Sequence, residues 1–148
     1  VGTVVELNLM TITNDPKKQS NNVKFKVISF KDNSLHTEFI SYNLQRAQLK
    51  RLARAAKNKI EDSFLYTTKD NVKIVVKPVM ITRNKVVKSK LTALRLASRS
   101  FTDEIAKKMT YSEIVKELAS GNLQKELKSK VNKVVPIANY IIKAFEKK

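Results

Sequence analysis

The chain has 148 residues, 30 Lys and Arg against 13 Asp and Glu, and a formal net charge of +17. It has no Cys, no Trp, one His and two Gly, which excludes disulfide frameworks, Cys-ligated zinc, iron–sulfur clusters, Cys nucleophiles, di-His zinc motifs and Gly-rich phosphate loops. The length suits one domain with its own core, and no apolar run reaches the roughly 18 residues of a membrane span. The first residues carry Glu6 and Asp15 and read as strand rather than signal peptide. Cytosolic residence is therefore expected, with a processed or trimmed start, since the first residue is Val.

Thr3–Ile12 reads as a strand with Val5, Leu7 and Leu9 on one face. The stretch 14–22 is a polar loop, and Val23–Phe30 alternates again with Val23, Phe25 and Val27 inward. Lys31–Ser34 is a tight turn into a third strand, Leu35–Ile40. The period then changes: Leu49, Leu52, Ala53 and Ala56 follow i, i+3, i+4, i+7 and predict a helix from Asn43 to about Lys57, capped by Ser41 or Asn43. Ile60–Thr68 and Val72–Thr82 read as strands around a Lys69-Asp70-Asn71 turn, with an edge or bulge at Pro78.

Val87, Leu91, Leu94, Ser98, Phe101 and Ile105 step by four and three and mark a long helix over 86–108. Thr110 and Glu113 fit a capping box for a short helix that Gly121 ends, and a further helix over 122–132 follows. Val134–Phe145 returns as a strand. Strands first and helices later predict an α+β fold: an antiparallel, barrel-like sheet with helices packed outside. No linker divides the chain, so 1–148 reads as one domain: sheet-forming 1–82 with an inserted helix near 43–57, helical 86–132, and a last strand over 134–145.

The charge is concentrated. Residues 39–60 hold no acid and six bases, Arg46, Lys50, Arg51, Arg54, Lys57 and Lys59. Residues 71–102 hold no acid and eight bases, Lys73, Lys77, Arg83, Lys85, Lys88, Lys90, Arg95 and Arg99. These two windows supply fourteen of the seventeen net charges. Such a field attracts polyanions, nucleic acid above all, because arrays of Lys and Arg gain from counterion release along a phosphate backbone. Arg46, Lys50, Arg54 and Lys57 fall on one stripe of the first helix, with no acid at i+4 to neutralise them. Lys88, Arg95 and Arg99 repeat the arrangement beside the seam of the long helix, flanked by Lys85 and Lys90.

Little supports catalysis. His36 is the sole imidazole, and strand alternation gives it no triad geometry with Ser34 and Glu38. The pairs Glu61-Asp62 and Asp103-Glu104 read as solvated charge or partners for nearby Lys. The aromatic residues are sparse and most fall on inward faces, with no stacking platform of the RNA-recognition type. Recognition is expected through backbone charge and RNA shape. No enzyme activity, cofactor, metal or membrane partner is expected.

Read together, His36-Thr37-Glu38-Phe39, the basic helix with Leu44, Arg46, Lys50, Leu52 and Arg54, then Lys59, Phe64, Thr67-Thr68-Lys69-Asp70, the strand with Lys77 and Thr82, and the helix with Ser89, Ala93 and Arg95 stand in a familiar order. From Val1 to about Val135 the sequence resembles the S-three-Ae, or eS-one, family of small-subunit ribosomal proteins of archaea and eukaryotes. It departs from the family pattern at Ser41, where Gly is usual, at Asp70-Asn71-Val72, where Asp-Gly-Tyr is usual, and at Val135-Pro136-Ile137-Ala138, where Tyr-Pro-Leu-Arg is usual. The last departure removes an Arg from the terminal strand. The family also starts with a basic, aromatic segment ahead of its first strand, so a start cut short is expected here.

The resemblance implies a barrel-like core with flanking helices, bound to small-subunit ribosomal RNA on the platform. It implies a place near the RNA 3′ end and the mRNA exit, with neighbouring ribosomal proteins as partners and mRNA within reach. The candidate RNA contacts are Arg46, Lys50, Arg51, Arg54 and Lys57, then Lys85, Lys88, Lys90, Arg95 and Arg99, with Lys73, Lys77 and Arg83 in support and a hydrogen bond from His36. The alternative is a free-standing RNA- or DNA-binding regulator or chaperone.

Overall fold

The computed structural model describes residues 1–53 and 58–148. Its elements are β1 (Val4–Asn8), α1 (Leu9–Thr13), β2 (Asn21–Lys31), β3 (Ser34–Leu44), α2 (Arg46–Ala53), β4 (Lys59–Glu61), β5 (Phe64–Thr67), β6 (Lys73–Thr82), α3 (Lys88–Lys108), α4 (Tyr111–Ser120), α5 (Asn122–Asn132) and β7 (Ile137–Lys147). Seven antiparallel strands form one sheet in the order β1-β2-β3-β7-β6-β4, with β5 also on β6. The α+β class is as predicted. The sheet is open rather than a closed barrel: among the described residues its path ends on β1 and β4.

Three local reasons move the predicted boundaries. The strand foreseen over Thr3–Ile12 stops at Asn8, whose side chain accepts a hydrogen bond from the Met10 amide at 2.9 Å and starts α1. Asn14, left-handed at φ 55°, ends that short helix. Leu9 is therefore buried in the core, while Val5 and Leu7 are exposed instead of inward. The predicted caps Ser41 and Asn43 both lie within β3, which runs on to Leu44 and delays α2 to Arg46. The turn between β2 and β3 uses Asp32 and Asn33 at φ 50° and 60°, the two left-handed positions of a tight hairpin.

The strand foreseen over Ile60–Thr68 is interrupted, and Pro78 explains why. β4 and β5 lie on β6 in the same register, Glu61 opposite Val79 and Phe64 opposite Val76. Between them the Asp62 amide donates to the Pro78 carbonyl at 3.2 Å. Proline has no N–H to return, so the ladder breaks at 62–63. On its other side β6 pairs Pro78 with Ile142 and Lys77 with Ala144, leaving Lys143 as the extra residue of a bulge. Of the predicted edge or bulge, the bulge is what occurs, on a strand paired along both sides.

Alternation along β6 feeds two cores. Ile74, Val76 and Met80 join the large cluster with Phe145, Ile142, Leu94, Leu118, Leu127 and Val131 under α3, α4 and α5. Val79 and Ile81 point the other way and meet Leu49 of α2, with Leu44, Leu52, Ala138 and Ile141 around them. The long helix buries Leu94, Ser98, Thr102, Ile105 and Ala106, close to the predicted seam, although Val87 is exposed at its start. The capping box of α4 is formed by Thr110 and Glu113, and Gly121 ends the helix at φ 85°. Phe30 is the exception to the expectation of inward aromatics: it stands exposed near the β2–β3 turn. No described helix is long and apolar enough to cross a membrane.

Candidate nucleic-acid interface

α2 is fixed before its charges are considered. The Gln45 amide donates to the Ser20 carbonyl at 2.9 Å, and Leu49 is buried against Val79 and Ile81. With that face inward, Arg46, Lys50 and Arg51 are left exposed. Among the described residues none of the three makes an ion pair. Arg54 and Lys57, predicted on the same stripe, lie outside the described residues.

The second basic window is tied to the same end of β6. The Thr82 amide donates to the Asn58 carbonyl at 3.0 Å, the Asn58 amide to the Thr82 hydroxyl at 3.0 Å, and the Val86 amide to Asn58 Oδ1 at 2.9 Å. One asparagine thus clamps the connection from β6 to α3, and Arg83, Lys85, Lys88 and Lys90 are exposed along it. No side chain caps α3 at Val87 and no acid stands in its first turn. Lys88 and Lys90 therefore sit at the positive end of the helix dipole, an arrangement that costs about 0.3–1 kcal/mol per charge and that an anion relieves. Asn58 of the first window and Thr82 of the second are thus joined where β6 ends.

The remaining candidates behave differently. Arg95 Nε stands 3.9 Å from Asp62 Oδ2, and the Arg99 guanidinium lies 4.6 Å above the Phe64 ring. Both turn toward β4 and β5 rather than lying free along the helix. Lys77 lines a groove of about 330 Å³ with Glu61, Asp62, Ser63 and Lys143, so carboxylates share its surroundings. Lys73 is exposed at the opposite end of β6 from Thr82, and His36 is exposed near the β2–β3 turn, at the far end of β3 from α2. The structure does not bring these two to the junction.

The carboxylates are occupied as expected. Lys59 meets Glu61 at 3.0 Å, Lys107 meets Asp103 at 2.9 Å and Lys108 meets Glu104 at 2.8 Å. Hydrogen bonds from Lys59 and Lys108 hold the Glu61 and Glu104 carboxyls below the usual range. These are exposed pairs, and solvent screening leaves them little weight in stability. Sequence reasoning missed Lys143, because a bulge residue has no signature in one strand alone. It also missed the support of Arg99 by Phe64, which requires β5 to face α3.

The model of the Ribosomal S3Ae family matches residues 1–146. The chain belongs to the Ribosomal S3Ae family. The family is one of ribosomal structural proteins and is not enzymatic. Small ribosomal subunit protein eS1 of Archaeoglobus fulgidus is 31% identical over 148 residues, covering 99% of this chain and 70% of the relative. The eS1 proteins of Nanoarchaeum equitans and Haloarcula marismortui are 28% and 26% identical, covering 98% and 97% of this chain and 73% and 67% of their own lengths.

Proposed function

We propose that this chain is a structural constituent of the small ribosomal subunit that braces folded ribosomal RNA by neutralising its phosphates. The observation that carries the reading is the end of β6, near which an uncapped helix start and the α2 stripe present cations that, among the described residues, have no carboxylate partner. Arg46, Lys50, Arg51, Arg83, Lys85, Lys88 and Lys90 are its principal phosphate contacts, with Arg54 and Lys57 continuing the stripe. Lys73 and Lys77 lie on the same sheet face as the α2 seat and extend it. Arg95 and Arg99 act beside β5, and His36 contributes at the hairpin.

Family membership and the names of the relatives supply the setting. Within it the chain acts as a single domain in the cytoplasm, on the platform near the mRNA exit, beside neighbouring small-subunit proteins and within reach of mRNA. Sucrose-gradient fractionation tests the assignment: the chain is expected to co-sediment with small subunits. Sedimentation wholly as free protein overturns it and favours a free-standing nucleic-acid binder.

A further inference from the structure

The groove between β5 and α3 is unlike the rest of the basic surface. It measures about 370 Å³ and is lined by Leu65, Tyr66, Leu96, Arg99, Ser100 and Asp103. Leu65 and Leu96 are 55% and 61% exposed, although Tyr66 beside them is buried. Leu96, Ser100 and Asp103 follow i, i+4, i+7 along α3, so an apolar wall, a hydroxyl and a carboxylate share one face. Arg99 is exposed and its guanidinium carbon stands 4.6 Å from the centre of the Phe64 ring, a cation–π contact that steadies a planar group at the groove.

A phosphate uses charge alone and has no use for two exposed leucines or a carboxylate. A flat heterocycle uses all of them. Its π face stacks on the guanidinium and packs on Leu65 and Leu96, and its N–H edge donates to Asp103, whose carboxylate has lone pairs beyond the one that Lys107 engages. The volume is at the lower end of small-ligand sites, about 300–1,000 Å³. The surroundings are cationic: the acid-free stretch 71–102 runs up to the groove, and Asp103 is the first carboxylate after it. A neighbour carrying both bases and dense negative charge fits this better than a protein segment.

We propose that this groove seats one unpaired base of the bound RNA, with Arg99 as the stacking surface and Asp103 accepting from an exocyclic amino group, which adenine, cytosine and guanine carry and uracil lacks. The proposal rests on the RNA-binding reading above and adds base recognition to it. The test is chemical probing of small subunits carrying the full chain, with dimethyl sulfate for adenine and cytosine, kethoxal for guanine and hydroxyl radicals for the backbone. Wild type is expected to protect one unpaired base roughly tenfold. Arg99→Lys, which keeps the charge and loses the flat face, and Leu96→Ser are each expected to restore that base's reactivity while the backbone footprint of α2 stays. Asp103→Asn is expected to give intermediate reactivity. If every base reacts alike in wild type and variants while the backbone footprint persists, the groove holds no base, as it would if a protein neighbour filled it, and the proposal is overturned. Loss of the backbone footprint in wild type overturns the RNA-binding reading itself.

Discussion

The face of the sheet under α3, α4 and α5 and the face under α2 are made of different materials. The first is a continuous apolar cluster in which α4 starts with a capping box, and Lys107, Lys108 and Lys130 on its outer side each meet a carboxylate four residues earlier. The second is a small contact of Leu49 with Val79 and Ile81, beneath a helix that carries cations and no acids. Both contain many Lys and Arg, so charge count does not separate them. What separates them is that carboxylates of the chain hold Lys107, Lys108 and Lys130, whereas among the described residues none holds Arg46, Lys50 or Arg51. The large face holds most of the buried apolar core, and the small one seats a cationic helix.

Substitutions sharpen this contrast, the largest effects on stability coming first. Phe145→Ala, at a fully buried position of the large cluster, is expected to cost about 3–5 kcal/mol in urea denaturation. Alkaline pH acts on the same face through Tyr42, whose phenol burial pushes its pKa up to about 12. The folded chain prefers the protonated phenol, so this contribution is intact below about pH 10 and is lost as pH rises through 12. It amounts to about 2–3 kcal/mol. Ultraviolet titration is expected to show Tyr42 ionising together with unfolding, and Tyr42→Phe to move the alkaline midpoint upward.

Leu49→Ala is expected to cost less than Phe145→Ala, about 2 kcal/mol, and to weaken RNA binding because α2 loses its seat. RNA affinity unchanged in this variant would break the division between the two faces. Thr110→Ala removes the hydroxyl half of the α4 capping box and is expected to cost about 1 kcal/mol, with no effect on RNA. Replacing Arg46, Lys50 and Arg51 together by Ala is expected to leave stability within about 0.5 kcal/mol. It should flatten the salt dependence of RNA binding by roughly 0.9 in log–log slope for each phosphate no longer neutralised. Lys107, Lys108 and Lys130, replaced together, are expected to leave that slope unchanged, since carboxylates already hold them.

Much of this architecture was legible in the residues. The 4-3-4 steps of α3, the Thr110–Glu113 box, Gly121 and the Asp32–Asn33 turn are local signals, and each sits where short-range physics puts it. What failed was long-range. A strand pattern over 3–12 cannot disclose that Asn8 will cap a turn of helix, and the pattern over 60–68 contains no trace of the proline opposite that interrupts it. The basic windows were visible as composition, but their meeting was not: it depends on Asn58 reaching both Thr82 and Val86 across an antiparallel pair. Arg95 and Arg99 stay exposed but meet Asp62 and Phe64, partners some thirty residues away in sequence.

The break in the ladder at Asp62 and Ser63 has a consequence for the chain before it is assembled. An open sheet offers its outermost strand to any other chain with unpaired backbone, and a long straight edge is a template for aggregation. Here that edge is divided into three residues of β4 and four of β5, with a proline-imposed gap between them. Neither piece is long enough to nucleate a stable foreign strand, and the surrounding positive charge repels a second copy. A single missing N–H at Pro78 thereby shortens one of the two edges of the sheet, the other being β1.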